Sequence, residues 1–323
     1  MEALADQFKA ALTMIGLGDK RKRAIEAHEG VRATLEADPE LQERGVDTIL
    51  IGSYGRETAI YPGRDVDIFV KLADADDDPE ALFQLVKKPL VATYGDRVTE
   101  GRHAIKIDFP DEFGVDAVAA ERTTAHWKIP APDDSGGRTE WEETDPERLG
   151  ELVTDRNVTP TVDAQGAFVP TVKMIRQIRR HHLADAKPGG LYFELETYWA
   201  FDVGVAGDTF AEILASTLEH IATQLESGEV ITDPAMDRPY EPTPESVDIE
   251  HAAAIFRDLA TKAADALVAD KCPAAAIWRD ILGQNDRGWV FPLPAGCDER
   301  GKEVARVTPV ADRGPAEARP FAT

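Results

Sequence analysis

Asp65 and Asp67 stand one residue apart in Asp65-Val66-Asp67-Ile68-Phe69-Val70, and Gly52-Ser53 precedes them by the eleven residues from 54 to 64. In an extended strand alternate side chains share a face, so both carboxylates point one way while Val66, Ile68 and Val70 point the other. Two like charges so close repel. A hard divalent cation, magnesium or alternatively manganese, relieves that repulsion by bridging the carboxylates to phosphate oxygens. The Gly-Ser turn suits the other end of such a ligand, because backbone N–H groups opening a helix have no intrahelical partner and can hold phosphate, with the Ser53 hydroxyl beside them. An Asp-x-Asp pair alone also describes an exposed strand with two solvated acids. Here Gly-Ser, Arg56 and Thr58 stand close by and the opposite face is apolar, which favours a metal site for nucleotide chemistry.

Phosphoryl transfer by paired metals calls for a third carboxylate from a neighbouring strand. Ala104 to Phe109 and Val115 to Val118 both read as strands, joined through the turn-forming Pro110-Asp111-Glu112-Phe113-Gly114. Asp116 sits among small and apolar neighbours and needs a partner, whereas Asp108 shares a face with Lys106 and can ion-pair there, so Asp116 is favoured. Asp47 to Ile51 reads as the buried strand that delivers the Gly-Ser turn. In the segment from Thr171 to Arg180, Val172, Ile175 and Ile178 mark an apolar helical stripe, and Lys173, Arg176 and Arg180 form a basic face suited to a triphosphate or a pyrophosphate leaving group.

The wider pattern is α+β. Residues 3 to about 37 read as a long helix able to brace two lobes, a sheet region spans about 47 to 120, and a helix near 79 to 92 is expected to end or kink at Pro89. Residues 130 to 147, rich in Pro, Asp and Gly, read as a loop, and from about 148 the pattern is mainly helical, including 191 to 202, 208 to 226 and 247 to 269. The expected division is a brace helix and catalytic lobe over 1–147, a helical lobe over 148–294, and a flexible tail over 295–323.

With 60 acidic against 36 basic residues and a net charge of -24, the chain lacks the basic surface that extended, sequence-independent nucleic-acid binding needs. The acidic surface, including Asp74 to Asp78, favours solubility or a salty surrounding. Cys272 and Cys297 lie far apart without metal-type spacing, so neither a disulfide framework nor a zinc site is expected, and His181-His182 do not face the same way on a helix. The early charges Glu2, Asp6 and Lys9 and the want of a long apolar run lead to an expectation of a cytoplasmic protein without membrane attachment.

Gly52-Ser53-Tyr54-Gly55-Arg56-Glu57-Thr58, Asp65 to Val70 and Val115 to Ala120 together resemble the polymerase-beta-type nucleotidyltransferases. Ile129-Pro130, Trp141, Thr144-Asp145-Pro146, the helix bearing Lys173, Asp233-Pro234 and the run from Trp278 to Phe291-Pro292 are similar to the bacterial signalling branch related to cyclic GMP-AMP synthase and oligoadenylate synthase. The resemblance implies a two-lobed enzyme, with a mixed-sheet catalytic core and a helical lobe, that joins nucleoside triphosphates into a cyclic or short linear oligonucleotide messenger and releases pyrophosphate. In that family the product usually activates an effector in antiphage signalling, and in some systems a partner conjugates the synthase through its C-terminus. By the same resemblance Asp65 and Asp67 bind the metals, Asp116 completes the site, Gly52 and Ser53 hold the donor triphosphate, Lys173 lies on the matching helix, and Tyr192 takes the place of a triphosphate-touching serine. Ala119 stands where relatives often carry proline. The alternatives are a nucleotidyltransferase that modifies RNA 3' ends and a nucleotide-binding regulator without activity.

Overall fold

The computed structural model describes residues 4–73, 78–110 and 113–304. A seven-stranded mixed sheet forms one half of the molecule, from β1 (Asp47–Ile51), β2 (Asp65–Leu72), β3 (Val98–Glu100), β4 (Ile105–Phe109), β5 (Phe113–Arg122), β6 (Trp127–Ala131) and β7 (Glu140–Thr144). Its main path runs β1-β2-β5-β4-β3, with β6 and β7 continuing from the far end of β5. Among the described residues only β2 and β5 run parallel, and that pair aligns Asp67 with Asp116.

The even-numbered side chains of β2 explain the sheet's covered face. Ile68, Val70 and Leu72 are fully buried in one core with Val31 and Leu35 of α2 (Lys20–Glu36), Leu41 of α3 (Pro39–Glu43), and Leu82, Phe83, Val86 and Leu90 of α5 (Pro79–Tyr94). Between them lies α4 (Gly52–Gly55), a single turn after β1. The opposite face divides in two. Phe69 packs edge-on against Trp127 in a small separate core, while Asp65 and Asp67, farther back along the strand, open into a cavity.

The other half is helical. It comprises α6 (Pro146–Arg156), α7 (Phe168–Leu183), α8 (Gly190–Val203), α9 (Phe210–Ser227), α10 (Ser246–Val268) and α11 (Lys271–Leu282), with short hairpins β8 (Thr161–Val162) with β9 (Gln165–Gly166), β10 (Thr232–Asp233) with β11 (Arg238–Pro239), and β12 (Gln284–Asn285) with β13 (Gly288–Trp289). Its core also takes in Phe8, Ala11 and Ile15 of α1 (Ala5–Ile15), where Phe8 meets Trp278 and Phe291 edge-on.

Four expectations are corrected. The N-terminal brace is two helices, because the chain turns through Gly16 to Asp19 with Gly18 at φ 58°; α1 packs in the helical half and α2 on the sheet. Of the two outcomes expected at Pro89, an end or a kink, the first is overturned: α5 continues to Tyr94, since apolar residues on both sides of the proline are buried and outweigh its cost of about 3 kcal/mol. The stretch 130 to 147 is largely the β6–β7 hairpin, its turn fastened by Asp133, which accepts from Ser135 and Gly137 N–H and the Thr139 hydroxyl. Finally, Cys272 and Cys297 form a disulfide, with Cα atoms 5.2 Å apart across a separation of 25 residues. Spacing could not reveal it, because α11 and the segment after Phe291 meet only through the tertiary fold. That bond fastens the first residues of the expected tail; residues 305–323, like Asp74 to Asp77, lie outside the described residues. Among the described residues no helix is long and apolar enough to cross a membrane.

Candidate active site

Strand register assembles the acidic floor. In β1–β2 Ile51 lies opposite Asp67, so Gly52 begins the turn directly beside that carboxylate. Gly52 adopts φ 63°, and a Cβ there would collide with Asp67 Oδ2, so glycine is required on both counts. Gly55 is similarly confined, a Cβ falling 2.5 Å from the Leu50 carbonyl oxygen. With only one turn in α4, little helix dipole is available. What the turn offers a phosphate is its amides and the Ser53 hydroxyl.

Asp65, Asp67 and Asp116 line one cavity of about 570 Å³ with Gly52 and Ser53. Arg64, Thr144, Asp145 and Leu149 border it from the sheet side and α6, and Arg176, Arg180, Gly190, Leu191, Asp233 and Ala235 from the helical half. Burial pushes the Asp67 carboxyl up to about 6; the neighbouring Asp116 adds to the rise, Arg56 opposes it, and Asp65 raises it further. Asp116 is also raised, first by burial and against the pull of Lys106, whose Nζ lies 3.4 Å from its Oδ2. This corrects the expected pairing within β4. Lys106 stands in register with Asp116 and reaches across to it, whereas Asp108 is exposed on the same strand.

The donor set fits a hard divalent cation in kind: three carboxylates, two of them pushed toward protonation first by burial and further by the charge of neighbouring carboxylates. As the side chains stand, no group of three acidic, His or Cys residues among the described ones clasps a single point. Asp116 leans to Lys106 and Asp67 to Gly52, so binding an ion would draw them inward.

The opposite wall is cationic. Arg176 and Arg180 reach the cavity from α7, and Arg56, buried after α4, lines it from the sheet side. Arg180 also donates to the Tyr61 carbonyl. Arg56 and Arg176 converge on Glu194 of α8. Arg56 Nε lies 2.6 Å from Glu194 Oε1, Arg176 Nη1 3.0 Å from Oε2, and the Thr58 hydroxyl donates to Oε2 at 3.0 Å. Burial opposes the Glu194 charge, yet the two guanidiniums outweigh it and hold the carboxyl below its ordinary range. Sequence reading missed Glu194: its one clue was that, with Glu196, it is an acid set among the large apolar residues of α8.

Two expected ligands lie elsewhere. Lys173 is not among the cavity-lining residues; it is partly buried one turn before Arg176, its pKa lowered by burial, with Glu57 and Arg21 as its charged neighbours. Tyr192 turns into the helical half, because each residue of α8 rotates by about 100° and Gly190 and Leu191 already face the cavity. Its ring meets Tyr240 edge-on in a separate cavity, and its hydroxyl bonds to Glu196, whose carboxyl burial pushes up to about 7.

The mixed sheet thus presents three carboxylates to a cavity that the cationic helix α7 borders from the other side. Residues 1–157 match the Second Messenger Oligonucleotide or Dinucleotide Synthetase domain, and the chain is a nucleotidyltransferase. The whole fold is similar to solved structures at low identity. CdnC of E. coli MS115-1, solved with ATP, shares 15% identity at a TM-score of 0.66, covering 89% of this chain and 98% of that one. The Bradyrhizobium diazoefficiens CD-NTase CdnG, in complex with GTP, gives 16% and 0.66, covering 81% and 92%. The Vibrio cholerae cyclic AMP-GMP synthase DncV gives 16% and 0.60, covering 87% and 86%. A search of curated protein sequences finds no match.

Proposed function

We propose that this enzyme joins ribonucleoside triphosphates into a cyclic or short linear oligonucleotide and releases pyrophosphate, with its acidic floor as the catalytic centre. The observation that carries the reading is the register of β2 and β5, which sets Asp67 beside Asp116 and aims both with Asp65 at the cationic wall.

A hydroxyl of one nucleotide attacks the α-phosphorus of another, so that one O–P bond forms while the bond to pyrophosphate breaks. Asp65, Asp67 and Asp116 would hold magnesium or manganese, which when bound neutralises charge on the reacting phosphate and lowers the pKa of the attacking hydroxyl. Gly52 and Ser53 hold the donor's polyphosphate through amides and a hydroxyl, while Arg176 and Arg180 face the departing pyrophosphate. Lys173 borders that wall and Tyr192 supports α8 from behind. Leu149, Leu191 and Ala235 offer apolar surface to a base.

The proposed setting is a cytoplasmic antiphage signalling system, with an effector answering the product and a further protein acting on the synthase or its C-terminus. One solved structure of similar fold, CdnC, is in complex with a HORMA protein, which supports a protein partner here. The test is incubation with all four ribonucleoside triphosphates and magnesium, without RNA, followed by mass spectrometry of phosphatase-resistant products. An oligonucleotide made by the wild type and lost in Asp67→Ala supports the reading; product from Asp67→Ala overturns the site. Product only when RNA is added moves the enzyme to RNA 3'-end modification, and triphosphate binding without turnover to a regulatory protein.

A further inference from the structure

The Glu194 carboxylate lies where both halves of the molecule bring an arginine to the cavity. It is 1% exposed and lies on α8 of the helical half. Arg56, from the segment after the Gly-Ser turn, meets it with Nε at 2.6 Å and Nη2 at 3.4 Å. Arg176, from α7, meets it with Nη1 at 3.0 Å. Thr58, fully buried, donates at 3.0 Å.

Two guanidiniums held this close repel each other, and the burial of Arg56 with the partial burial of Arg176 removes much of the water that would screen them. One carboxylate between them removes that obstacle and leaves the cluster with a net charge of one positive unit. The guanidinium is a rigid planar fork, so pinning some N–H groups fixes where the others point. Glu194 engages Nε and Nη2 of Arg56 and Nη1 of Arg176, which leaves Arg56 Nη1 and Arg176 Nη2 outside its grip. Arg176 Nε is buried without a hydrogen-bond partner among the described residues, so the cluster as it stands has donor capacity to spare. Both arginines line the cavity, and both act electrostatically on Asp67, which places them toward the acidic end where the polyphosphate must run.

We propose that Glu194 is the positioning residue for polyphosphate: it makes no contact with substrate, but clamps Arg56 and Arg176 into one donor platform shared by the two halves. This rests on reading the cavity as a triphosphate site. A purely structural ion pair makes a different prediction, because its loss would loosen the fold without coupling to Arg176 in ligand affinity.

The test uses inorganic tripolyphosphate with magnesium as a base-independent probe, titrated calorimetrically into the full chain, with melting curves to verify folding. Glu194→Gln should weaken tripolyphosphate binding about 10- to 100-fold, as expected for losing the aim of charged donors. Arg176→Ala should weaken it similarly, and the double variant should lose no more than the worse single one, since both break one platform. In turnover the loss should fall mainly on KM for the nucleoside triphosphate. If Glu194→Gln does not fold, Thr58→Val decides, because it removes one anchor without stranding a charge and should weaken binding about 3-fold. Additive losses in the double variant, or unchanged affinity in Glu194→Gln or in the substitute Thr58→Val, overturn the assignment alone. A wild type that binds no tripolyphosphate overturns the triphosphate reading of the cavity and this assignment with it.

Discussion

The floor and the wall of the cavity solve the problem of buried charge in opposite ways. On the floor, Asp67 has no dedicated cation, and burial with a neighbouring carboxylate pushes it up to about 6. On the wall, Arg56 and Arg176 share a fully buried glutamate, and Glu194 stays below its ordinary range despite burial. A charge with a permanent counter-ion is structural before any ligand arrives. A charge without one is a cost that a ligand can remove. The floor is therefore where binding a cation should change the protein most, and the wall where it should change least.

Asp67→Asn breaks that comparison most severely. We expect turnover to fall by about 10³-fold or more, because a carboxylate facing the reacting phosphate is lost. Stability should move the other way. The folded-state pKa of Asp67, about 6, lies above its ordinary value of 3.8, so its stabilising contribution is complete below about pH 4 and lost as pH rises through about 6. At pH 7.5 in metal-free buffer the native residue carries an unfavourable charge that Asn removes. The melting temperature of Asp67→Asn should thus exceed that of the wild type at pH 7.5, with a smaller gain at pH 5, and magnesium should narrow the difference by stabilising the wild type alone. Equal melting temperatures at both pH values would refute the account of an unpaired floor.

A sharper cut separates the two acids near β5. Asp116 lines the cavity and Asp108, two residues beyond Lys106, does not. Asp116→Asn should lower turnover by about 10²-fold, while Asp108→Asn, which removes only an exposed carboxylate, should change it less than about 3-fold. The measurement is pyrophosphate release at saturating triphosphate. Similar losses in both variants would mean that the floor extends to Asp108 and that Lys106 is shared between them.

How much of this was legible in the sequence follows the same division. The floor was readable because period two is rigid: Asp65 and Asp67 had to share a face, and Val66, Ile68 and Val70 had to be buried on the other, as they are. The arginines of α7 were readable as a face but not as a site, since helical periodicity shows which residues lie together and not what they meet. Tyr192 shows the limit. A shift of one position around α8 moves a side chain from the cavity to the interior, and only the packing of Phe193 and Leu195 fixes that rotation. Glu194 and the Cys272–Cys297 bond depend on contacts across 138 and 25 residues, so no local pattern announces them.

The smallest expected effect asks whether burial, rather than the count of arginine–glutamate contacts, separates wall from surface. Arg257 of α10 makes more such contacts than Arg56. Its Nε and Nη2 meet Glu226 at 2.8 Å each, its Nη1 meets both Glu219 oxygens at 2.7 Å, and Nη2 lies 3.2 Å from the Thr223 hydroxyl, all on α9. The cluster is exposed, however, with Glu219 59% and Glu226 46% accessible at the side chain. Water solvates these carboxylates whether or not the arginine is present, so Arg257→Ala should lower the melting temperature by only about 1–2 °C, and less again as salt rises from about 0.05 to 0.5 M. Glu194→Gln strands the buried Arg56 guanidinium, and leaves the partly buried Arg176 beside it, so it should cost about 3–5 kcal/mol, with little response to the same salt. If thermal melting instead gave the two variants equal losses with equal salt dependence, desolvation would not be what distinguishes the wall, and bond count alone would suffice.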